Sequence, residues 1–211
     1  MNLIPDISAV IAFVPAVVLA LVSFILGIRV RMPRIIGAGG GSGQIQVPGK
    51  DVMASSLQFY NQPNFWGMRI PREPAKIQSA RIYDPSLKEY VGPVLRWRRD
   101  GTSQLEQRTS IEAGKSAHLY VFAKERFSDE YFIYDSTALD ADLAGPLPKY
   151  TEAKKDFSVV LFDEIGRKYR FAITVRNTDQ SVGVGFKLTW HARWEMIREA
   201  FRLLWRAFSS R

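Results

Sequence analysis

The sequence predicts a mainly β chain with a helix at each end, on three observations. The twenty-two residues from Ile7 to Ile28 carry no charge. A series of short apolar runs with period near two fills the middle of the chain. After Arg193 the apolar residues change to helical spacing. Periods of 2.0 and 3.6 residues separate a strand from a helix, because they set which side chains share a face.

At about 1.5 Å per residue, a helix over Ile7–Ile28 would be roughly 33 Å long, enough to cross a hydrocarbon core about 30 Å thick. A cleaved leader would need a basic segment before a shorter apolar run. The preceding residues Met1–Asp6 contain no Lys or Arg, so a retained single-pass anchor is expected. Pro15 and Gly27 are compatible with it, since both residue types occur in membrane helices. Arg29, Arg31 and Arg34 follow the run directly. Basic flanks mark the cytoplasmic side, which places the N-terminus outside and the bulk of the chain in the cytoplasm. These three arginines are the expected contacts to lipid headgroups. An exported domain is the alternative, and the absence of cysteine leaves both compartments open.

Four segments are expected: an anchor with its basic flank over residues 1–36, a glycine linker over 37–43, a β domain over 44–190 and a helix over 191–211. The linker is Gly37-Ala38-Gly39-Gly40-Gly41-Ser42-Gly43, flexible by composition. It lacks the Gly-Lys-Ser/Thr ending and the flanking strand and helix of a phosphate loop.

The β domain is read from runs at Leu57–Phe59, Ile77–Tyr83, Val94–Arg98, Ser116–Ala123, Tyr131–Tyr134, Phe157–Phe162, Tyr169–Val175 and Val182–Trp190. Asn61-Gln62-Pro63, Asp84-Pro85, Asp100-Gly101 and Asp163-Glu164-Ile165-Gly166 punctuate them as turns. Ala117, Leu119 and Val121 should face one side of their strand, with His118, Tyr120 and Phe122 on the other. Without strand–helix alternation, an antiparallel immunoglobulin-like sandwich is expected, with Trp97 as a candidate core residue. The Cys…Trp…Cys signature of antibody domains is absent. Residues 136–155 are less patterned and suggest a long connection.

In the last segment Trp194, Ile197, Phe201, Leu204, Trp205 and Phe208 form one helical stripe, flanked by Arg198, Arg202 and Arg206. Such a basic amphipathic helix lies on lipid, packs on the β domain, or self-associates. Trp194, Phe201, Arg202 and Trp205 are its candidate membrane contacts. The net charge of +8 is concentrated at the ends: +2 within residues 1–43 and +3 within residues 191–211.

Function classes narrow accordingly. His118 and His191 have no neighbouring ligand set, so no zinc site is expected. Asp129-Glu130, Asp140/Asp142 and Asp163-Glu164 read as solvated turns. Gly114-Lys115-Ser116 lacks the first glycine of a phosphate loop, and no GxSxG occurs. No catalytic residue, cofactor or metal is therefore expected. Arg96-Trp97-Arg98-Arg99 interleaves charge with an aromatic, but strand alternation turns Trp97 away from its neighbours and argues against nucleic acid. The expected partners are the lipid bilayer and another protein. The expectation is a non-catalytic binding or scaffold role at the membrane surface. An exported ligand-binding or envelope domain, and an enzyme with a dispersed site, are the alternatives.

Overall fold

The computed structural model describes residues 17–21, 23, 27, 31–47, 50–65, 68–69, 72–98, 105–135 and 148–187. Its strands are β1 (Ile35–Val47), β2 (Lys50–Asn61), β3 (Asn64–Phe65), β4 (Met68–Arg69), β5 (Ala75–Asp84), β6 (Glu89–Val91), β7 (Trp97–Arg98) and β8 (Leu105–Glu106). They continue with β9 (Thr109–Ile111), β10 (Ser116–Glu125), β11 (Tyr131–Ile133), β12 (Lys149–Tyr150), β13 (Lys154–Asp163), β14 (Lys168–Asn177) and β15 (Val182–Phe186).

Two antiparallel sheets hold the fold. The first runs β1-β2-β10-β11-β12, with β7 on the free flank of β10 and β8 beyond it. The second runs β15-β14-β13-β5-β6, with β9 also on β5. The apolar face of each sheet meets the other in one core. Leu57, Phe59, Trp97 and Leu119 come from the first sheet, and Ile82, Phe157, Leu161, Ile173 and Val175 from the second. Phe59 carries the contact across, its ring centroid 5.0 Å from Phe171 and 5.4 Å from Phe186. Trp97 is buried beside it at 5.7 Å, edge to face, the packing that aromatic quadrupoles favour.

One expected face is corrected. Phe122 is buried in the main core together with Leu119, not opposite it. The β10–β2 register shifts between Tyr120 and Phe122, so the extra residue of a bulge reverses the alternation. Ala123 then joins Val52, Ala54 and Tyr134 in a second apolar cluster. Even-numbered Val52 and Ala54 alternate with core-facing Leu57 and Phe59, which places that cluster on the sheet's other side.

The larger correction concerns residues 37–43. They are strand, not linker: β1 pairs with β2 from Ile35↔Asn61 to Val47↔Lys50, with one shift between Gly37 and Gly39. The β domain therefore starts at Ile35. Composition suggested flexibility because glycine carries no periodic signal, but an antiparallel neighbour satisfies its backbone as well as any other residue's. Two of these glycines are needed for close packing. A Cβ on Gly37 would lie 2.6 Å from the Phe186 ring, and one on Gly40 would lie 2.1 Å from the Val184 carbonyl oxygen. The edges of the two sheets close on each other here because β1 presents no side chain at those points.

Of the apolar run 7–28, the described positions are helical, and Val17, Val18, Leu19 and Leu21 are exposed. Among the described residues no helix is long and apolar enough to cross a membrane. The expected C-terminal helix, the stretch Leu188–Trp190 and Asp140/Asp142 lie outside the described residues.

Gly40→Ala should destabilise the domain by about 2 kcal/mol or more, as overpacking does. Gly41→Ala, where nothing lies within 4 Å, should change stability by no more than about 0.5 kcal/mol. Urea unfolding of the two variants side by side tests the strand assignment, since a linker would tolerate both.

Candidate functional site

The site with the clearest construction is the junction where the basic flank enters the β domain. Asn61, the last residue of β2, is fully buried. A buried carboxamide is costly unless its donors and acceptor are used, and here they are. Its Nδ2 donates to the carbonyls of Glu73 and Ile111, both at 3.0 Å. Its Oδ1 accepts the Arg34 backbone N–H at 3.1 Å. One side chain thus ties together the start of β1, the chain before β5, and β9. The Asn61 backbone adds bonds to Lys115 O at 3.1 Å and from Gly114 N at 2.8 Å.

Backbone bonds extend the junction toward the flank. Arg31 O accepts the Glu73 N–H and Arg34 O accepts the Gln62 N–H, both at 2.9 Å. Arg72 Nη1 donates to Met32 O at 2.7 Å. Arg31, Met32 and Arg34 are each bonded to the domain through main-chain atoms. Arg31 is exposed and Arg34 half-buried. Burial, and then the nearby Arg34 guanidinium, pull the Arg72 pKa below the usual arginine value. Arg31 and Arg34 are thus brought to one end of the domain. Arg29, Trp194, Phe201, Arg202 and Trp205 lie outside the described residues.

Asn61 and Arg72 escaped the sequence reading. Asn61 sits in Asn61-Gln62-Pro63, whose composition indicates a turn and does not indicate burial. Arg72 has no motif around it.

A second polar cluster joins the two sheets near β12. Asp84, at the end of β5, is buried; its Oδ1 accepts the Ser86 N–H at 2.8 Å, and its Oδ2 lies 3.5 Å from Lys155 Nζ. Lys155 also reaches Glu152 Oε1 at 3.0 Å and stands 4.6 Å over the Tyr150 ring. Tyr150 stacks on Tyr131 at 5.5 Å. Both phenol oxygens are enclosed without a protein hydrogen-bond partner. Burial alone would raise the Asp84 pKa, but the Ser86 hydrogen bonds and the Lys155 ammonium hold it below its usual range. Burial, followed by the carboxylates of Asp84 and Glu152, pushes Tyr150 up to about 12. Tyr131 is raised in the same direction, by burial first.

The other polar sites act in turns. Asp163 was expected in a solvated turn and is instead buried. It accepts N–H bonds from Ile165 at 3.1 Å and Arg167 at 2.7 Å, and pairs with Arg167 Nε at 2.6 Å. The β13–β14 turn folds around that carboxylate. Gly114, at φ 82°, forms the turn before β10. Lys124, also buried, donates to Asn177 Oδ1 at 2.8 Å and Thr178 O at 2.6 Å, linking β10 to the end of β14. A groove of about 430 Å³ runs past Trp97, Arg98, Glu106 and Ser110 to Ser116. Among the described residues no group of three or more His, Asp or Glu is placed to hold a metal ion.

No protein-family model, no curated protein and no solved structure matches this chain.

Asn61→Ala should cost about 3 kcal/mol, because it strands the Arg34 N–H and two carbonyls in the interior. Thermal unfolding measures it. A second expectation concerns alkali. Tyr150 is protonated in the folded state up to about 12, against about 10 when unfolded. Its contribution is intact below the unfolded value and is lost as pH rises through the folded one. Stability should fall between those limits, and Tyr150→Phe should flatten the fall without destabilising the protein at pH 7. Urea midpoints across the alkaline range read both effects.

Proposed function

We propose that this chain is a single-pass membrane protein whose immunoglobulin-like sandwich has a non-catalytic binding or scaffold role at the membrane surface. The observation that carries this reading is the junction. Arg31, Met32 and Arg34, which lie three, four and six residues beyond Ile28, are hydrogen-bonded into the β domain. These bonds support a domain that is held at the start of β1 and does not trail from a flexible tether.

Further support comes from exposure. Val17, Val18, Leu19 and Leu21 are 44%, 55%, 71% and 59% exposed. Covering a large apolar side chain is worth about 1.5–3 kcal/mol, and lipid is the cover that a continuous uncharged run fits. For the sandwich, strands remote in sequence are neighbours in each sheet, β2 beside β10 and β5 beside β13. Such crossing connections belong to Greek-key sandwiches.

The mechanism is confinement. An anchored domain meets other membrane-bound proteins at a raised effective concentration, and a fixed mount limits the orientations it presents. The partner is another protein of the same membrane, with the bilayer as the common support. Trp194, Phe201, Arg202 and Trp205, which lie outside the described residues, are the proposed second lipid contact. The arginine flank places the β domain on the cytoplasmic side.

Alkaline carbonate extraction of membranes should leave the full chain in the pellet. Protease added to intact cells should spare the β domain and should digest it once the cytoplasmic face is opened. Release by carbonate contradicts the anchor, and digestion in intact cells contradicts the sidedness.

A further inference from the structure

We propose that the outward face of the second sheet docks an extended acidic segment of the partner protein, whose carboxylates pair with Arg81, Lys168 and Arg170. This rests on the binding role proposed above and adds to it a surface and the chemistry that the surface receives.

Strand alternation sorts the second sheet into two faces. Ile82, Val159, Leu161, Tyr169 and Phe171 belong to the core side, which turns Arg81, Tyr83, Val160, Phe162, Lys168 and Arg170 outward. Val160 pairs with Arg81 on one flank and with Arg170 on the other, and Phe162 pairs with Lys168. Tyr83 pairs with Tyr90 of β6. Each of these cations lies over a ring. Arg170 Cζ is 4.3 Å from the Tyr83 centroid, Arg81 Cζ is 5.3 Å from that of Tyr90, and Lys168 Nζ is 5.6 Å from that of Phe162. Val160 is buried between the two arginines although it faces outward.

The charge of this face has one sign. Its carboxylates at the rim already have partners: Glu164 pairs with Lys76, and Asp156 with Lys187. Among the described residues no carboxylate pairs with Arg81, Lys168 or Arg170. Lys154 and Arg176, cross-strand neighbours exposed on the same face, enlarge the excess. Lys168 and Arg170 are exposed, and so is Tyr90.

A one-signed face calls for an anionic partner, and spacing selects among them. Lys168 and Arg170 stand two residues apart on one strand, about 7 Å. Alternate residues of any extended chain have that same spacing, so Glu or Asp at every second position of a segment lying along β14 meets both. Arg81, two strands across from Arg170, widens the charged strip by about 10 Å. Guanidinium forks take carboxylate oxygens in pairs, and side chains already resting on rings have less freedom to lose on docking. A single nucleic-acid strand stacks its bases on open ring faces. Here a cation lies over each ring, which favours an acidic polypeptide.

Fluorescence anisotropy with the full chain in neutral detergent tests this, using a labelled peptide of alternating glutamate and serine. The peptide should bind, and the same peptide with glutamine for glutamate should not. Lys168→Gln with Arg170→Gln should weaken binding at least about tenfold. Lys50→Gln with Lys115→Gln removes the same charge from exposed positions outside the second sheet and should weaken it less than about threefold. Lys168→Glu with Arg170→Glu should instead bind a peptide of alternating lysine and serine, a gain that a misfolded domain would not give. Equal losses in the two glutamine pairs would show attraction to net charge alone and overturn the proposal. Oligothymidylate binding as tightly as the acidic peptide would overturn it as well. A chain that resists carbonate extraction but ignores the acidic peptide loses this surface alone. One that binds the peptide but is released by carbonate keeps the surface and loses the anchor.

Discussion

The buried carboxamide of Asn61 is the constraint on which the arrangement depends. It sits where four stretches of chain converge: the start of β1, the end of β2, the segment before β5, and β9. Each bond it makes satisfies a main-chain group that would otherwise be stranded away from water. The Arg34 N–H bond sets where β1 begins, and the ladder from Ile35↔Asn61 follows in register. That register brings Gly37 and Gly40 opposite Phe186 and Val184, so the two sheets close along β1 and β15. The same side chain thereby fixes both the architecture and the point at which the basic flank meets it.

Much of the β domain was legible because burial and period two coincide. Leu57 and Phe59, Ile77, Ala80 and Ile82, Leu119, and Phe157, Val159 and Leu161 are core residues in strands where alternation or β-branched content announced them. Trp97 was recognisable for the same reason. β1 was not, because a strand built from glycine has no side chains to alternate. Its hydrogen-bonding partner and the carbonyl it packs against lie elsewhere in the sequence. Phe122 was misplaced because a bulge is set by pairing between two strands and leaves no mark in one. The burial of Asp163 leaves no mark in sequence, because a turn made of charged residues looks alike whether or not its carboxylate folds inward to collect N–H groups. The short strands β6, β9 and β12 are two or three residues long, too brief for any period to show. Of the junction, Arg31 and Arg34 were visible through charge alone. Asn61 and Arg72 depend on tertiary hydrogen bonds, and nothing local distinguishes them from an ordinary turn residue and an ordinary surface arginine.

Electrostatics separate the two ends of the domain. The Asp84–Lys155–Glu152 group carries carboxylates beside its ammonium, so its charges are internally compensated, and Lys155 reaches the other sheet over the Tyr150 ring. The phenols of Tyr131 and Tyr150 remain neutral far above physiological pH, which makes them packing elements there. At the junction the buried arginine, Arg72, rests on the main-chain carbonyl of Met32. The β1–β2 ladder through residues 37–43 puts a paired strand where composition suggests a tether.

Amide hydrogen exchange across residues 34–45 of the full chain is the most direct measure of that pairing. The account predicts that the N–H groups of Arg34 and of the paired β1 residues exchange slowly, with protection comparable to β2 and β10. Exchange of residues 37–43 at the rate of an unstructured peptide would contradict it, and the proposed mounting of the domain would fall with it.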